Sequence, residues 1–292
     1  VSPIFNKNKI MTFLKNTLYA FFIIYTSTAL AQSNFEMNDI FDIRYADEIQ
    51  LSPDGKQIVY RRMGYDIMSD KSVGNLWILN TDGSNHQKLT LRDTNEFSPS
   101  WSPSCDRIAF ISQGLQGPEI FIYWTQTAKM ARITQLPESP SSLSWSNDGK
   151  QLAFSMFVPS AAPVIAQIPK SPKGAKWAKK PRITDRLNHE ADGRGYLPTG
   201  YSHLFVMSSE GGAIRQISSG NYHHRGNLSW SKDNKALYFS ANRTPNWEYD
   251  FRNSEVYKIS LQDGLITPLT ERDGPDYSPI VSPTGKMIAY LG

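Results

Sequence analysis

Short alternating runs of apolar and polar residues, broken by turn residues, recur along the chain. Each of five ten-residue segments begins with a large apolar residue and Ser, passes through a polar turn, and ends in an apolar strand with an aromatic terminus. Turn residues between two such strands are typical of a β-hairpin. The pattern therefore predicts five hairpins of one design, called A–B hairpins here, at 51–60, 101–110, 145–154, 230–239 and 281–290.

A second predicted hairpin, C–D, follows each of the first four at a variable distance. The four segments alternate apolar and polar residues around a short turn and close with Thr or Ser, at 75–90, 119–134, 203–218 and 255–270. The resulting four-stranded units recur at steps of 50, 44, 85 and 51 residues. Repeats of this kind indicate an all-β fold, a β-propeller of four-stranded antiparallel blades. We expect four blades and a half-blade.

The 85-residue step contains a long insertion at about 155–202. This segment holds six of the 18 prolines of the chain and no further ten-residue repeat. Proline removes the backbone donor that a central strand needs. We therefore expect one long connection between strands B and C of the third blade rather than an additional blade.

The presequence 1–31 has the pattern of a secretory signal peptide that begins at Met11. A short basic segment precedes an apolar run at 18–25, and an A-x-A tripeptide follows at 29–31. A membrane anchor is the alternative, but a spanning helix needs about 20 apolar residues. We expect cleavage. Residues 32–292 would then form a partial propeller, periplasmic or secreted, with no membrane contact after cleavage.

Composition and charge exclude several classes of protein. With 39% hydrophobic residues the chain is too apolar for a disordered protein, and one cysteine cannot form a disulfide framework or a Cys-based zinc cluster. Three of the 31 basic residues lie in 1–31, which leaves 28 against 27 acidic residues in the rest. A nearly neutral mature chain lacks the broad basic face that nucleic acids require. We expect no nucleic-acid partner.

No metal site or cofactor is predicted. The adjacent His223 and His224 would point to opposite faces of a strand and could not share a metal ion. His189 and Glu190 lack the second histidine of an H-E-x-x-H zinc site.

Several longer segments then carry a family resemblance. They are 41–60 with 64–70 and 75–83, EADGRGYLPTGYSHLFV at 190–206, and LSWSKDNKALYFSANRTPNWEYD at 228–250. These segments resemble the propeller of exported bacterial serine peptidases of the prolyl oligopeptidase family, of the acylaminoacyl-peptidase and dipeptidyl-peptidase type. The resemblance covers residues 38–292. The ten-residue repeat is common to many exported propellers, whereas the insertion and the WEYD-containing loop are more specific.

The resemblance implies a seven-bladed propeller followed in sequence by an α/β-hydrolase domain. In that family the hydrolase domain supplies the catalytic Ser, Asp and His, and the propeller restricts access to short peptides. This sequence contains no G-x-S-x-G elbow, so no catalytic residue is assigned and the chain alone is expected to be inactive. We therefore expect the N-terminal part of a longer serine peptidase, whose partners are a peptide substrate and the hydrolase domain.

Two other functions are kept as alternatives. A non-enzymatic, TolB-like periplasmic propeller would bind a protein partner. TolB-like proteins carry an α/β domain ahead of the propeller, whereas the first A–B hairpin starts 20 residues after the expected cleavage site. A propeller lyase would need a histidine-rich metal centre, which is not visible in the sequence.

Candidate substrate-binding residues come from the connections between strands. In a four-stranded antiparallel blade the B–C and D–A connections share one rim, and loops on a rigid scaffold concentrate recognition. Glu248 would suit the amino terminus of a peptide, Arg243 its carbonyl groups, and the aromatic residues its side chains. Packing of the loop onto the propeller or onto the hydrolase domain is the alternative role for each of them. The candidates are Arg194, Tyr196, Arg243, Trp247, Glu248 and Tyr249.

Overall fold

The computed structural model describes residues 35–292 except residues 93, 162–163, 167–168 and 179–181. The expected signal peptide and its cleavage site lie outside these residues. The chain divides into two units, 1–43 and 44–292. In the first unit the described residues form a short 3-10 helix, Met37–Phe41, at whose start the backbone N–H of Glu36 donates to Oδ2 of Asp39 over 2.8 Å.

The second unit consists of antiparallel sheets that follow one another along the chain. The first blade contains β1 (Tyr45–Leu51), β2 (Gln57–Asp66), β3 (Lys71–Asn80) and β4 (Gln87–Lys88). The second contains β5 (Glu96–Trp101), β6 (Arg107–Gln113), β7 (Pro118–Trp124) and β8 (Lys129–Arg132). In both, each strand pairs with its neighbours in the chain, which is the expected A-B-C-D order.

The third blade contains the insertion. Its strands are β9 (Pro140–Trp145), β10 (Gln151–Pro159), β13 (Gly200–Ser208) and β14 (Arg215–Gln216). Strand β10 pairs directly with β13 from Gln151↔Ser208 to Pro159↔Gly200. Residues 160–199 therefore connect strands B and C of one blade, and they carry a small hairpin of β11 (Glu190–Ala191) and β12 (Gly195–Tyr196). Strands β10 and β13 therefore include residues 155–159 and 200–202, which were expected to belong to the insertion.

The fourth blade and the half-blade complete the described array. The fourth contains β15 (His224–Trp230), β16 (Ala236–Ala241), β17 (Glu255–Ser260) and β18 (Ile266–Pro268). The half-blade contains β19 (Tyr277–Val281) and β20 (Ile288–Leu291). The prediction of an all-β propeller with four blades and a half-blade is confirmed.

One serine organises each A–B turn. In the first blade, Ser52 Oγ accepts a hydrogen bond from the backbone N–H of Gln57 over 2.9 Å and donates to Oδ1 of Asp54 over 2.7 Å. Ser146 repeats both contacts with Gln151 and Asp148. Side-chain bonds of this kind replace ladder bonds inside a turn. They explain why Ser is the second residue of every repeat.

The fifth residue of each repeat has a left-handed backbone. Its φ is 72° at Gly55, 60° at Cys105, 68° at Gly149, 58° at Asn234 and 74° at Gly285. This region is accessible to glycine without a steric cost, is tolerated by Asn, and is unfavourable for other residues. The turn type therefore explains the Gly or Asn at four of the five positions.

The apolar core lies between neighbouring blades. Three buried clusters join the first blade to the second, the second to the third, and the third to the fourth. A tryptophan hydrogen bond accompanies each cluster. The indole Nε1–H of Trp101 donates to the carbonyl of Gln50, that of Trp145 to Ser100, and that of Trp230 to Ser144, over 3.3, 2.9 and 3.2 Å.

Candidate functional site

The long connections lie at one end of the propeller because strand order A-B-C-D places the B–C and D–A connections together. We call this end the loop rim. Its B–C connections are 67–70, 114–117, 160–199 and 242–254, and its D–A connections are 89–95, 133–139, 217–223 and 269–276. All six candidate residues lie in the B–C connections of the third and fourth blades.

Three aromatic rings from the third and fourth blades meet on the loop rim. The ring of His223 lies 5.3 Å from Tyr201 and 5.6 Å from Trp247, and Trp247 meets Tyr201 edge-on at 6.4 Å, between centroids. The guanidinium carbon of Arg186 lies 4.2 Å from the centroid of Tyr201. We call Tyr201, His223 and Trp247 the aromatic cluster. Such surfaces bind apolar side chains and stack on planar groups.

The imidazole of His223 is neutral and accepts hydrogen bonds. Its Nδ1 accepts from the backbone N–H of Ser202 and from Nη2 of Arg225, both over 3.1 Å. A guanidinium only donates, so Nδ1 carries no proton. Burial and the charges of Arg225 and Arg186 lower the pKa of His223 to about 4.

His224 points away from its neighbour into the core. Its side chain is fully buried and its ring lies 5.3 Å from His203 and 5.4 Å from Phe239. Burial, the charge of Arg243 and that of His203 lower the pKa of His224 to about 3. The two histidines thus have different neighbours. Among the described residues, no group of three or more His, Cys, Asp or Glu side chains could hold a metal ion.

Arg243 joins the loop rim to this buried histidine. Its Nη1 donates to Nε2 of His224, and its guanidinium carbon lies 4.8 Å from the centroid of Tyr222. Arg243 therefore has partners within the fourth blade and its D–A connection. Its contact with peptide carbonyl groups stays a prediction.

Glu248 and Tyr249 differ in exposure although they are neighbours. The Oε1 atom of Glu248 is buried and accepts no hydrogen bond from the described part of the chain. Tyr249 is 77% exposed. A buried carboxylate oxygen without a hydrogen-bond donor is unfavourable for folding. The role of Glu248 towards a peptide amino terminus stays a prediction.

Arg194 and Tyr196 belong to the small hairpin of the insertion. The Tyr196 ring lies 3.8 Å from the guanidinium carbon of Arg182 and 6.4 Å from the ring of His189. Tyr196 also lines a cavity of about 430 Å³ within the insertion. The other lining residues are Arg182, Ile183, Thr184, Asp185, Arg186, Asn188, His189, Leu197, Pro198 and Thr199.

Four residues that surround this part of the rim were not among the candidate substrate-binding residues, namely Tyr201, His223, Arg186 and Arg225. His223 lies in a D–A connection, which shares the rim with the B–C connections. His223 could therefore have been placed on the rim from the strand order alone. Nothing periodic in the sequence marks Arg186 or Arg225 as neighbours of the same ring.

Comparisons with known proteins agree with this architecture. Residues 175–290 match the family model described as the dipeptidyl peptidase IV (DPP IV) N-terminal region. The uncharacterized peptidase YuxL of Bacillus subtilis is 27% identical over 209 residues, which are 71% of this chain and 31% of YuxL. Dipeptidyl-peptidase 5 of Porphyromonas gingivalis is 25% identical over 267 residues, covering 84% of this chain and 36% of the relative.

A solved structure supports the fold. The acylaminoacyl peptidase of Pyrococcus horikoshii superimposes with a TM-score of 0.60 at 16% identity, over 84% of this chain and 35% of that one. The chain spans about a third of the length of YuxL and of dipeptidyl-peptidase 5, the curated relatives described above. The blade architecture, the matched family model and these peptidase relatives together support an N-terminal propeller of a prolyl oligopeptidase-family peptidase.

Proposed function

We propose that this propeller admits short peptides to the active site of an exported serine peptidase. In the natural protein it would be joined to an α/β-hydrolase domain that carries the nucleophile. Peptidases among the relatives, two of them named dipeptidyl-peptidase 5, support the peptide substrate and the catalytic domain. Export is supported by the signal-like pattern of 1–31. No helix in the described part of the chain is long and apolar enough to cross a membrane.

The aromatic cluster is the observation that carries the proposal. The ring of Tyr201, at the start of strand C of the third blade, forms one surface on the loop rim with the rings of His223 and Trp247 from two connections. The guanidinium of Arg186 lies against Tyr201. Trp and Tyr provide large contact areas at a small cost in conformational entropy, and their removal often weakens binding by about tenfold or more. A peptide that passes the rim would meet this surface before the active site.

The test uses the product of the complete reading frame that encodes this chain. We would compare the wild type with Trp247→Ala and with the control Trp177→Ala, whose ring is 53% exposed in the insertion. Fluorophosphonate labelling would establish that an active serine is present. We expect Trp247→Ala to lower kcat/KM for dipeptide and oligopeptide substrates about tenfold, and to leave hydrolysis of a small activated ester unchanged.

Two outcomes would contradict the proposal. If the complete product shows no labelled serine and no peptidase activity, the peptidase function is wrong. If Trp247→Ala folds normally and cleaves every peptide with unchanged kcat/KM, the rim does not contact the substrate.

A further inference from the structure

The loop rim between the third and fourth blades carries three arginines that have no acidic partner among the described residues. Arg225 donates from Nε to Oγ of Ser202 over 3.1 Å and from Nη2 to His223. Arg186 donates from Nη1 to the carbonyl oxygen of Gly200 over 2.9 Å. Among the described residues, no carboxylate oxygen lies within 4.0 Å of a nitrogen of these two or of Arg194. We call Arg186, Arg194 and Arg225 the arginine face.

The charges of the arginine face act on neighbouring groups: that of Arg194 acts on Arg225, and those of Arg186 and Arg225 act on His223. The pKa of Arg225 is lowered, first because its guanidinium is desolvated and second because the charge of Arg194 lies nearby. His223, which receives the hydrogen bond from Arg225, is neutral and cannot compensate the charge. Like charges held together in a partly buried site favour the binding of an anion. The described residues supply no anion at this position.

The arginine face also has free donors and an adjacent space. Nη1 of Arg225 and Nη2 of Arg186 make no hydrogen bond with the described part of the chain, although both side chains are held by other contacts. Arg186 lines the cavity of about 430 Å³ in the insertion, together with Tyr196 and Asp185. Ligand pockets of small molecules have volumes of roughly 300–1,000 Å³. Asp185 forms no ion pair with an arginine within 4.0 Å in the described residues.

We propose that the arginine face binds the carboxylate of a short peptide, while the aromatic cluster contacts its side chains. Guanidinium groups bind carboxylates through paired charge-assisted hydrogen bonds, and rings beside them favour a peptide over a small inorganic anion. The carboxylate has two possible sources, the C-terminus of the peptide or an Asp or Glu side chain. This inference deepens the proposed function and rests on it, since it assigns a substrate class to the same rim.

The experiment measures binding to the full chain by isothermal titration calorimetry, without any need for catalysis. The first pair of probes is Ala-Phe-Ala with a free carboxylate and the same peptide as the C-terminal amide. The second pair is Ala-Glu-Ala-amide and Ala-Gln-Ala-amide, which tests a side-chain carboxylate. We expect at least one acidic probe to bind about tenfold more tightly than its neutral partner, and added salt to reduce that preference.

Variants assign the effect to the arginine face. Arg225→Gln and Arg186→Gln should each reduce the preference for the acidic probe to less than about threefold. The control Arg132→Gln, in an exposed strand of the second blade, should leave it unchanged. Near-ultraviolet circular dichroism would check the fold. If a variant does not fold, the acid and amide comparison in the wild type and its salt dependence still decide the proposal.

The binding experiment distinguishes a failure of the carboxylate site from a failure of peptide recognition by the rim. Equal binding of acidic and neutral peptides would overturn the carboxylate site and leave peptide recognition by the rim intact. Binding of phosphate or acetate as tightly as the acidic peptides would overturn it in favour of a simple anion site. Absence of binding by every peptide would overturn both the carboxylate site and the role of the rim in peptide recognition.

Discussion

The Nη1 atom of Arg243 lies 2.6 Å from Nε2 of His224. Because a guanidinium only donates, Nε2 is unprotonated, and the proton of the neutral ring is on Nδ1, which lies 3.3 Å from the carbonyl oxygen of Ser202. The imidazole thus joins the B–C connection of the fourth blade to strand C of the third. Protonation of Nε2 would place two cations against each other in the core.

The first prediction concerns acid stability. The folded pKa of His224, about 3, lies below the ordinary value of 6.5. Between these values the unfolded chain binds the additional proton, so the free energy of unfolding falls as the pH falls from 6.5 towards 3. From pH 7 to pH 5 we expect this one histidine to account for a loss of about 2 kcal/mol.

Urea unfolding at pH 7 and pH 5 would measure this loss. His224→Gln retains an acceptor for Arg243 and a donor for Ser202 but does not titrate, so its loss should be about 2 kcal/mol smaller than that of the wild type. Burial raises the pKa of Glu96 and gives an opposing pH dependence, which both proteins share. His86→Gln, on the surface, serves as the control. Equal losses in the wild type and His224→Gln would contradict the assignment.

The second prediction concerns Cys105. It occupies the left-handed fifth position of its A–B turn, where three of the other four repeats have glycine. Cys105→Gly should therefore raise the free energy of unfolding by about 1 kcal/mol, because the steric cost of the left-handed backbone exceeds the entropy lost with glycine. Asn234→Gly should instead lower it, because Asn tolerates this conformation and because Oδ1 of Asn234 accepts hydrogen bonds from the backbone N–H and the side-chain amide of Asn147, each over 2.8 Å. Denaturant titration of both variants would check the order.

The blade repeat could be predicted from the sequence because its determinants are local. In the first blade Ser52 contacts residues two and five positions later, and each strand pairs with the next one in the chain. Short-range contacts of this kind leave a periodic pattern of residue types. The Trp145 hydrogen bond to Ser100 spans 45 residues, yet it too repeats with the blades and leaves a tryptophan at the first position.

The rim site could be predicted only in part, because its contacts join connections that have no common pattern. The A strands of the first, second and fifth units shift register between residues three apart, such as Phe97 and Ser100, whereas the fourth shifts between Arg225 and Ser229. The additional residue is accommodated at Gly226, whose φ is 87°. A ten-residue repeat aligned from its turn gives no information on this bulge, and therefore none on the direction of Arg225.

The third prediction concerns the tryptophans between blades. Trp145 donates to the carbonyl oxygen of Ser100 over 2.9 Å and is 7% exposed. Trp145→Phe keeps most of the ring and leaves this carbonyl without its donor, so we expect a loss of about 1–3 kcal/mol in the free energy of unfolding. Trp177→Phe, at an exposed position, is the matched control and should change it by less than about 0.5 kcal/mol. If Trp145→Phe lowers the free energy of unfolding no more than Trp177→Phe does, the hydrogen bond does not stabilise the blade interface.

The last prediction concerns Glu248, whose buried Oε1 accepts no hydrogen bond within the described residues. A buried carboxylate oxygen without a hydrogen bond opposes folding. Removing the charge with Glu248→Gln should therefore leave the free energy of unfolding unchanged or raise it by about 1 kcal/mol. If Glu248 receives the amino terminus of a peptide, the same variant should weaken binding of a peptide with a free amino group about tenfold. Binding of the N-acetylated peptide should not change.

Calorimetry with the two peptides and urea unfolding of the two proteins would separate these effects. Glu248→Gln keeps the size of the side chain, so a change confined to the free-amine peptide would report the charge and not the packing. Glu138→Gln, at an exposed position in the connection between the second and third blades, is the control for net charge. If Glu248→Gln lowers the free energy of unfolding by more than about 1 kcal/mol and affects both peptides equally, the carboxylate stabilises its loop instead, and a ligand's amino group has no part in its role.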